Sequence, residues 1–202
     1  NHTFTIAGQR MPGTLNTGVQ FRADNVNASL WHSSQRRRLT DCFANVNPCN
    51  STNSRIRNTA FFAEEDVSIT PRLQVIAGLR ADQFVWDVDD VDPETNLSED
   101  TTGGTAQRAL LSPKLSAIVR PTDRLAVYLN GGYGFHSNDA RGAVSSNGKG
   151  SLARGIGGEV GLRFSPDRRL RTSVDVWYLY LQSELVWSGD NGGTEPSDPT
   201  RR

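Results

Sequence analysis

Leu125-Ala-Val-Tyr-Leu-Asn-Gly-Gly-Tyr-Gly-Phe-His136 decides the fold by its alternation. One parity reads Leu125, Val127, Leu129, Gly131, Tyr133, Phe135 and is apolar, ending in aromatics. The other reads Ala126, Tyr128, Asn130, Gly132, Gly134, His136 and is polar or small. Period two marks a strand with one face toward an apolar phase. The same split recurs on both sides. In Ala153 to Phe164, Ile156, Val160, Leu162 and Phe164 oppose Gly157, Glu159, Gly161 and Arg163. In Leu111 to Val119 the apolar parity opposes Ser112, Lys114 and Ser116, and in Leu73 to Asp82 it opposes Gln74, Arg80 and Asp82. Leu15 to Asp24 sets Leu15, Val19 and Phe21 against Gln20, Arg22 and Asp24.

Two segments are less regular. Arg57 to Ile69 puts Phe61, Ala63, Val67 and Ile69 on one side, but Glu65 falls among them. Leu170 to Ser188 starts cleanly, then both parities turn apolar from Trp177 to Leu181. That implies either a bulge or burial on both faces. Thr3 to Gly8 reads as the tail of one more strand. The expectation is an all-β chain of seven full strands and a fragment.

The connections sort by length. Arg10 to Gly13, Thr70 to Arg72, Arg120 to Arg124 and Ser165 to Arg169 are short and contain Pro, as tight turns do. Ser33 to Ser54, Asp89 to Ala106, Ser137 to Leu152 and the stretch after Gly189 are long and polar. Short and long alternate throughout. An antiparallel up-and-down meander in a transmembrane β-barrel has this pattern, with short periplasmic turns and long extracellular loops. The patterned segments also exceed the usual ~5–6 residues of soluble strands. Arg22, Asp24, Arg80, Asp82, Lys114, Glu159 and Arg163 share the polar parity, too many charges for a dry core. They are expected to face a barrel lumen. Trp31, Trp86, Tyr133, Phe135 and Trp187 lie near the long-loop ends, where an aromatic girdle belongs.

Composition agrees. The 202 residues carry 22 basic and 22 acidic side chains, for a net charge of zero. This argues against a nucleic-acid binder. Apolar content is 36% and mean hydropathy −0.51, with no run near the ~20 apolar residues of a transmembrane helix. Cys42 and Cys49 stand close together in a polar stretch. A loop disulfide is the first reading and a metal or redox pair the second. The chain begins Asn1-His2-Thr3 and stops at Thr200-Arg201-Arg202, so residues 1–202 are expected to be a piece of a longer polypeptide.

Several strings resemble the barrel of TonB-dependent outer-membrane receptors. They are Leu111-Ser-Pro-Lys-Leu-Ser116 with Leu125 through Gly142, Phe62-Ala-Glu-Glu-Asp66 with Val75-Ile-Ala-Gly-Leu-Arg-Ala-Asp82, and Ser183-Glu-Leu-Val186 with Gly189-Asp190 and Thr194-Glu-Pro196. Gly134-Phe-His-Ser-Asn-Asp-Ala-Arg-Gly142 is the most specific piece. The resemblance implies a 22-stranded barrel holding an N-terminal plug domain, and a short segment engaging TonB. It implies import of a scarce ligand such as a ferric siderophore, haem, cobalamin or a glycan, driven by proton motive force. The chain would then be a section of the barrel, with neither plug nor TonB-contacting segment, in the bacterial outer membrane.

His136, Asn138, Asp139 and Arg141 cluster where a strand meets a long loop. They are candidates for ligand contact at the extracellular mouth, or for a hydrogen-bonded loop base. One His and one Asp are too few for a metal site, and no metal or cofactor is expected. Arg36-Arg37-Arg38 and the Asp-rich Asp87 to Asp92 suggest solvated or salt-bridged loops, with lipopolysaccharide as a further contact for the arginines. No nucleophile elbow, zinc-protease motif or phosphate loop occurs, so no enzyme is expected. Two other architectures fit parts of the pattern. One is a self-contained eight-stranded outer-membrane barrel for adhesion or anchoring. The other is a soluble secreted glycan-binding β-sandwich. Separated lumen-facing charges favour the receptor; tightly paired ones favour the small barrel, whose interior is filled by side chains.

Overall fold

The computed structural model describes residues 2–6, 12–31, 33–39, 50–91, 98–137, 140–145, 152–167, 169–183, 185–188, 193–196 and 198–202. The strands are β1 (His2–Ile6), β2 (Gly13–Leu30), β3 (Ser33–Ser34), β4 (Arg37–Arg38), β5 (Asn50–Thr70), β6 (Leu73–Val91), β7 (Ser98–Thr122), β8 (Leu125–Ser137), β9 (Leu152–Phe164), β10 (Thr172–Leu181), β11 (Leu185–Ser188), β12 (Gly193–Pro196) and β13 (Thr200–Arg201). One short helix, α1 (Ala140–Ser145), lies between β8 and β9. Among the described residues no helix is long and apolar enough to cross a membrane, which says nothing of crossing by strands.

Nine strands form one antiparallel sheet in the order β1-β2-β5-β6-β7-β8-β9-β10-β13. Sequence neighbours are sheet neighbours, apart from the small hairpins β3–β4 and β11–β12 set aside in the connections. This is the expected antiparallel meander, with the two-residue β13 at one edge. It is not an eight-stranded barrel: β1 and β13 stand at the two edges and do not pair. Nor is it a sandwich, because among the described residues no second sheet covers its apolar face. That face is open, with Val176 70% and Phe21 66% exposed.

Register fixes the faces. Leu15, Glu65, Ala77, Leu115, Gly131, Gly158 and Tyr178 form one continuous row across six contacts between strands. Side chains alternate along each strand. This row therefore defines the apolar face, and Glu65 does sit on it, exposed. The adjacent parity carries the polar residues.

Three local expectations are corrected. The strands run longer than the alternation indicates: β5 begins at Asn50 and β7 at Ser98, inside stretches read as loop. The segment from Leu170 to Ser188 is two strands. β10 keeps an unbroken register from Thr172↔Phe164 to Leu181↔Gly155, so neither a bulge nor burial on both faces explains its doubly apolar half. Trp177 and Tyr178 point to opposite faces, each more than half exposed. The aromatic girdle also fails in part. Trp86 is fully buried and stacks on Phe84 at 5.4 Å, and Phe135 meets Phe84 edge-on at 5.5 Å. Trp31 lies beneath the Arg38 guanidinium, 3.2 Å from the ring centroid.

The reason lies at the long-loop end. There β6 continues its polar parity as Phe84, Trp86 and Val88. Ala140 and Ala143 of α1 pack on these residues with Ala106, Leu110 and Leu152. Pairing of β7 with β8 ends at Lys114↔Gly132, while β8 with β9 continues to Ser137↔Leu152. Pro113, which has no N–H to give, stands at the rung where pairing stops. Beyond it, upper β8 is released from β7 and brings Phe135 over Phe84.

Candidate functional site

The polar face of β2, β5, β6 and β7 forms a ladder of charges. Asn16, Glu64, Gly78, Lys114 and Gly132 make one row. Lys114 reaches across β6 to form an ion pair with Glu64 on β5. It can do so because residue 78 is glycine: a Cβ there would lie 2.5 Å from Lys114 Cε and 2.8 Å from its Cγ.

Further along the strands, the Arg80 guanidinium grips Asp82 with two bonds, Nε to Oδ2 at 2.8 Å and Nη2 to Oδ1 at 2.9 Å. Arg80 Nη1 donates to Gln20 Oε1 at 2.9 Å, and Asn58 Nδ2 donates to Asp82 Oδ1 at 3.2 Å. The Asp82 side chain is 0% exposed and that of Arg80 34%. A buried carboxylate needs such partners to remain charged. Arg22 Nε pairs with Asp24 Oδ2 at 2.7 Å near the long-loop end. Toward the turn end, Gln74 Nε2 donates to both Asp66 oxygens at 2.9 Å and Arg120 Nη2 donates to Gln74 Oε1 at 3.2 Å. A cavity of about 360 Å³ opens between Phe62, Glu64, Arg80, Ser112, Lys114 and Tyr133.

The seven residues singled out as polar-face charges share one side of the sheet. Arg22 and Asp24 pair in register with Asn58 and Ile56; Arg80 and Asp82 pair with Phe62 and Ala60. Glu159 lies beside Asn130, and Arg163 beside Ala126 with its guanidinium 4.9 Å from the Tyr128 ring centroid. Five of the seven, Arg22, Asp24, Arg80, Asp82 and Lys114, are in ion pairs, which taken alone would favour a small, filled barrel. The geometry argues otherwise. Arg22–Asp24 and Arg80–Asp82 join residues two apart on one strand, and Lys114–Glu64 spans a single intervening strand. Such pairs line a wall; none reaches across an interior.

Of the proposed mouth cluster, His136 is the penultimate residue of β8, exposed and in register with Ala153, and Arg141 lies half-buried in α1. Asn138 and Asp139 lie outside the described residues, as do Cys42 and Cys49. Of the Asp-rich stretch, Asp87 pairs with Arg55 at 3.6 Å. Gln35 and Arg36 form the tip of the β3–β4 hairpin with positive φ, 49° and 62°. That is the primed-turn geometry of a two-residue hairpin. Among the described residues no group of three His, Cys, Asp or Glu converges as a metal-ligand set.

The alternation missed the aromatic patch under α1. The signal was present, since Phe84, Trp86 and Val88 continue the parity of Arg80 and Asp82.

The family model described as "TonB dependent receptor-like, beta-barrel" matches residues 1–200. No curated protein sequence matches the chain. Among solved structures, the closed form of the ferric-catecholate import receptor Fiu from E. coli K12 is similar, with a TM-score of 0.67 at 15% identity over 98% of this chain and 32% of that one. The copper transporter OprC gives 0.64 at 16% identity, over 98% of this chain and 32% of that one. The FrpB iron transporter from Neisseria meningitidis gives 0.61 at 14% identity, over 97% and 30%. The chain thus spans about a third of the length of these structures, and at such identities they speak for the fold. Meander, charged wall, tight-turn end and family match agree: the chain belongs to the TonB-dependent receptor β-barrel family.

Proposed function

We propose that residues 1–202 are one section of the barrel wall of an outer-membrane receptor that imports a scarce ligand by TonB coupling. The observation that carries this reading is the division of one sheet into an apolar, uncovered face and a charged ladder, with the described tight turns β5–β6, β7–β8 and β9–β10 at one end. The apolar face, from Leu73 to beyond Ala81 on β6, meets the lipid chains. The ladder through Arg22, Asp24, Arg80, Asp82, Lys114, Glu159 and Arg163 faces the lumen. There it presents donors and acceptors to a plug domain supplied by another part of the parent. The tight turns lie in the periplasm and the long connections outside, where His136 and Arg141 border the mouth. TonB acts through the parent's plug side, and this wall stays still while the route opens. Ferric siderophore, haem, cobalamin and glycan are the ligand classes the family suggests; the similarity to iron and copper transporters favours a metal-bearing one. Transport, not catalysis, is the activity.

The test is uptake. A strain lacking the parent gene, starved of iron or copper, is supplied with radiolabelled chelates. Accumulation restored by the parent in a TonB-competent strain, and absent without TonB, supports the reading. Equal accumulation with and without TonB refutes it.

A further inference from the structure

Three tight turns carry the same four-residue pattern: Thr70-Pro71-Arg72-Leu73, Thr122-Asp123-Arg124-Leu125 and Asp167-Arg168-Arg169-Leu170. Each builds the same local structure. Arg72 N–H donates to Thr70 Oγ1 at 3.2 Å, Arg124 N–H to Thr122 Oγ1 at 3.3 Å, and Arg169 N–H to Asp167 Oδ1 at 2.7 Å. In the latter two the following leucine N–H donates to the same oxygen, at 3.1 Å for Leu125 and 3.0 Å for Leu170. The short side chain closes the turn on itself. It thereby holds an arginine immediately before the leucine that opens β6 or β8, and before Leu170, two residues ahead of β10.

All three arginines are exposed. Among the described residues none of their side chains has an acidic partner, and the pairs Arg22–Asp24, Arg55–Asp87, Arg80–Asp82 and Lys114–Glu64 lie elsewhere. Arg120 and Arg171 add to the same end, against Asp123 and Asp167. The Asp167 carboxylate is already engaged by two backbone N–H groups of its own turn. This end is therefore net basic. The long-loop end of β6 carries Asp87, Asp89 and Asp90 instead.

We propose that Arg72, Arg124 and Arg169 form a collar that binds the phosphodiester headgroups of anionic phospholipid, such as phosphatidylglycerol, at the turn-side edge of the apolar belt. This rests on the barrel reading. Guanidinium matches phosphate oxygens two at a time, and its alkyl stem lies along apolar surface while the head reaches polar groups. The three turns recur every second strand, about 10 Å apart at ~4.8 Å per strand, so each can serve a separate headgroup. An acidic protein surface could also meet three arginines. It would not explain why each is locked directly beside a leucine at the foot of the apolar face.

The full-length parent is refolded into phosphatidylcholine vesicles with and without phosphatidylglycerol, and urea unfolding is measured. Phosphatidylglycerol should raise the wild-type folding constant. Arg72→Gln, Arg124→Gln and Arg169→Gln should each remove about fivefold of that gain, the value expected of one basic residue at an anionic surface. High salt should remove it too. In phosphatidylcholine alone the variants should match wild type, and the Arg124→Gln single variant serves if the triple variant does not fold. A triple variant that keeps the whole response would overturn the collar and leave the arginines to an acidic protein. A wild type indifferent to phosphatidylglycerol would overturn it as well. Failure of the wild type to insert into either vesicle would overturn the barrel reading, and the collar with it.

Discussion

Leu79→Arg tests the assignment of faces. Leu79 belongs to the apolar parity of β6, is 47% exposed, and sits in register between Ala63 and Pro113. β6 starts at Leu73, so Leu79 lies about 20 Å up the strand at ~3.3 Å per residue. A strand tilt of ~40° makes that about 15 Å of height, close to the middle of an apolar band ~25 Å tall. An arginine at the midplane of the lipid face costs about 2–4 kcal/mol. That is about 30-fold to 900-fold in the folding constant. Ser116→Arg is the matched control. Ser116 lies on the opposite face, in a row that runs Asp66, Ile76, Ser116, Asn130, Glu159, so a new cation there has acids on both sides. Its cost should stay below about 1 kcal/mol. The assay is urea unfolding of the full-length parent in phosphatidylcholine vesicles, followed by tryptophan fluorescence and heat-dependent gel mobility. Equal costs for the two variants, or a larger one for Ser116→Arg, would refute the assignment.

The polar wall and the patch under α1 give three more outcomes. Arg80→Ala should destabilise the parent more than Asp82→Ala, because it leaves a fully buried carboxylate with Asn58 alone, whereas Asp82→Ala leaves a guanidinium that is one-third exposed and still donates to Gln20. The double-mutant cycle should return a coupling of about 1–2 kcal/mol, and a value near zero would contradict the bidentate pair. Gly78→Val should push Lys114 off Glu64 and raise Lys114 reactivity toward an amine reagent; unchanged reactivity would contradict the bridge across β6. Trp86→Ala should cost about 3–5 kcal/mol, whereas Trp86→Phe should cost far less, since the buried indole N–H has no hydrogen-bond partner to lose; equal losses in urea unfolding would count against this packing.

The meander was legible because period two is a local signal. Leu125 to His136 and Leu73 to Asp82 each announce their own faces, and proline marks the turns between strands. The signal fades where both parities are polar. Asn50 to Ser54 and Ser98 to Thr105 show no alternation, yet the backbone ladder runs through the first and, across a register shift between Gly104 and Glu99, reaches Ser98 in the second. Nothing in a polar stretch distinguishes paired from unpaired backbone. Trp86 failed for another reason. An aromatic near a strand end fits a girdle equally well, and only α1 folding back from a distant connection decides which face it covers. Phe135 needed the loss of pairing at Pro113, which depends on the neighbouring strand. The polar-face charges were legible one by one, but the reach of Lys114 to Glu64 was not, because it depends on a glycine one strand away.

The most direct test of a membrane-spanning wall is the sidedness of its two ends in intact cells. In the full-length parent, with its native cysteines replaced, Gln35→Cys marks the exposed tip of the β3–β4 hairpin and Asp123→Cys an exposed tight turn. A membrane-impermeant maleimide should label position 35 in whole cells and position 123 only after lysis. Equal labelling at both positions before lysis, or labelling at 123 alone, would contradict the account.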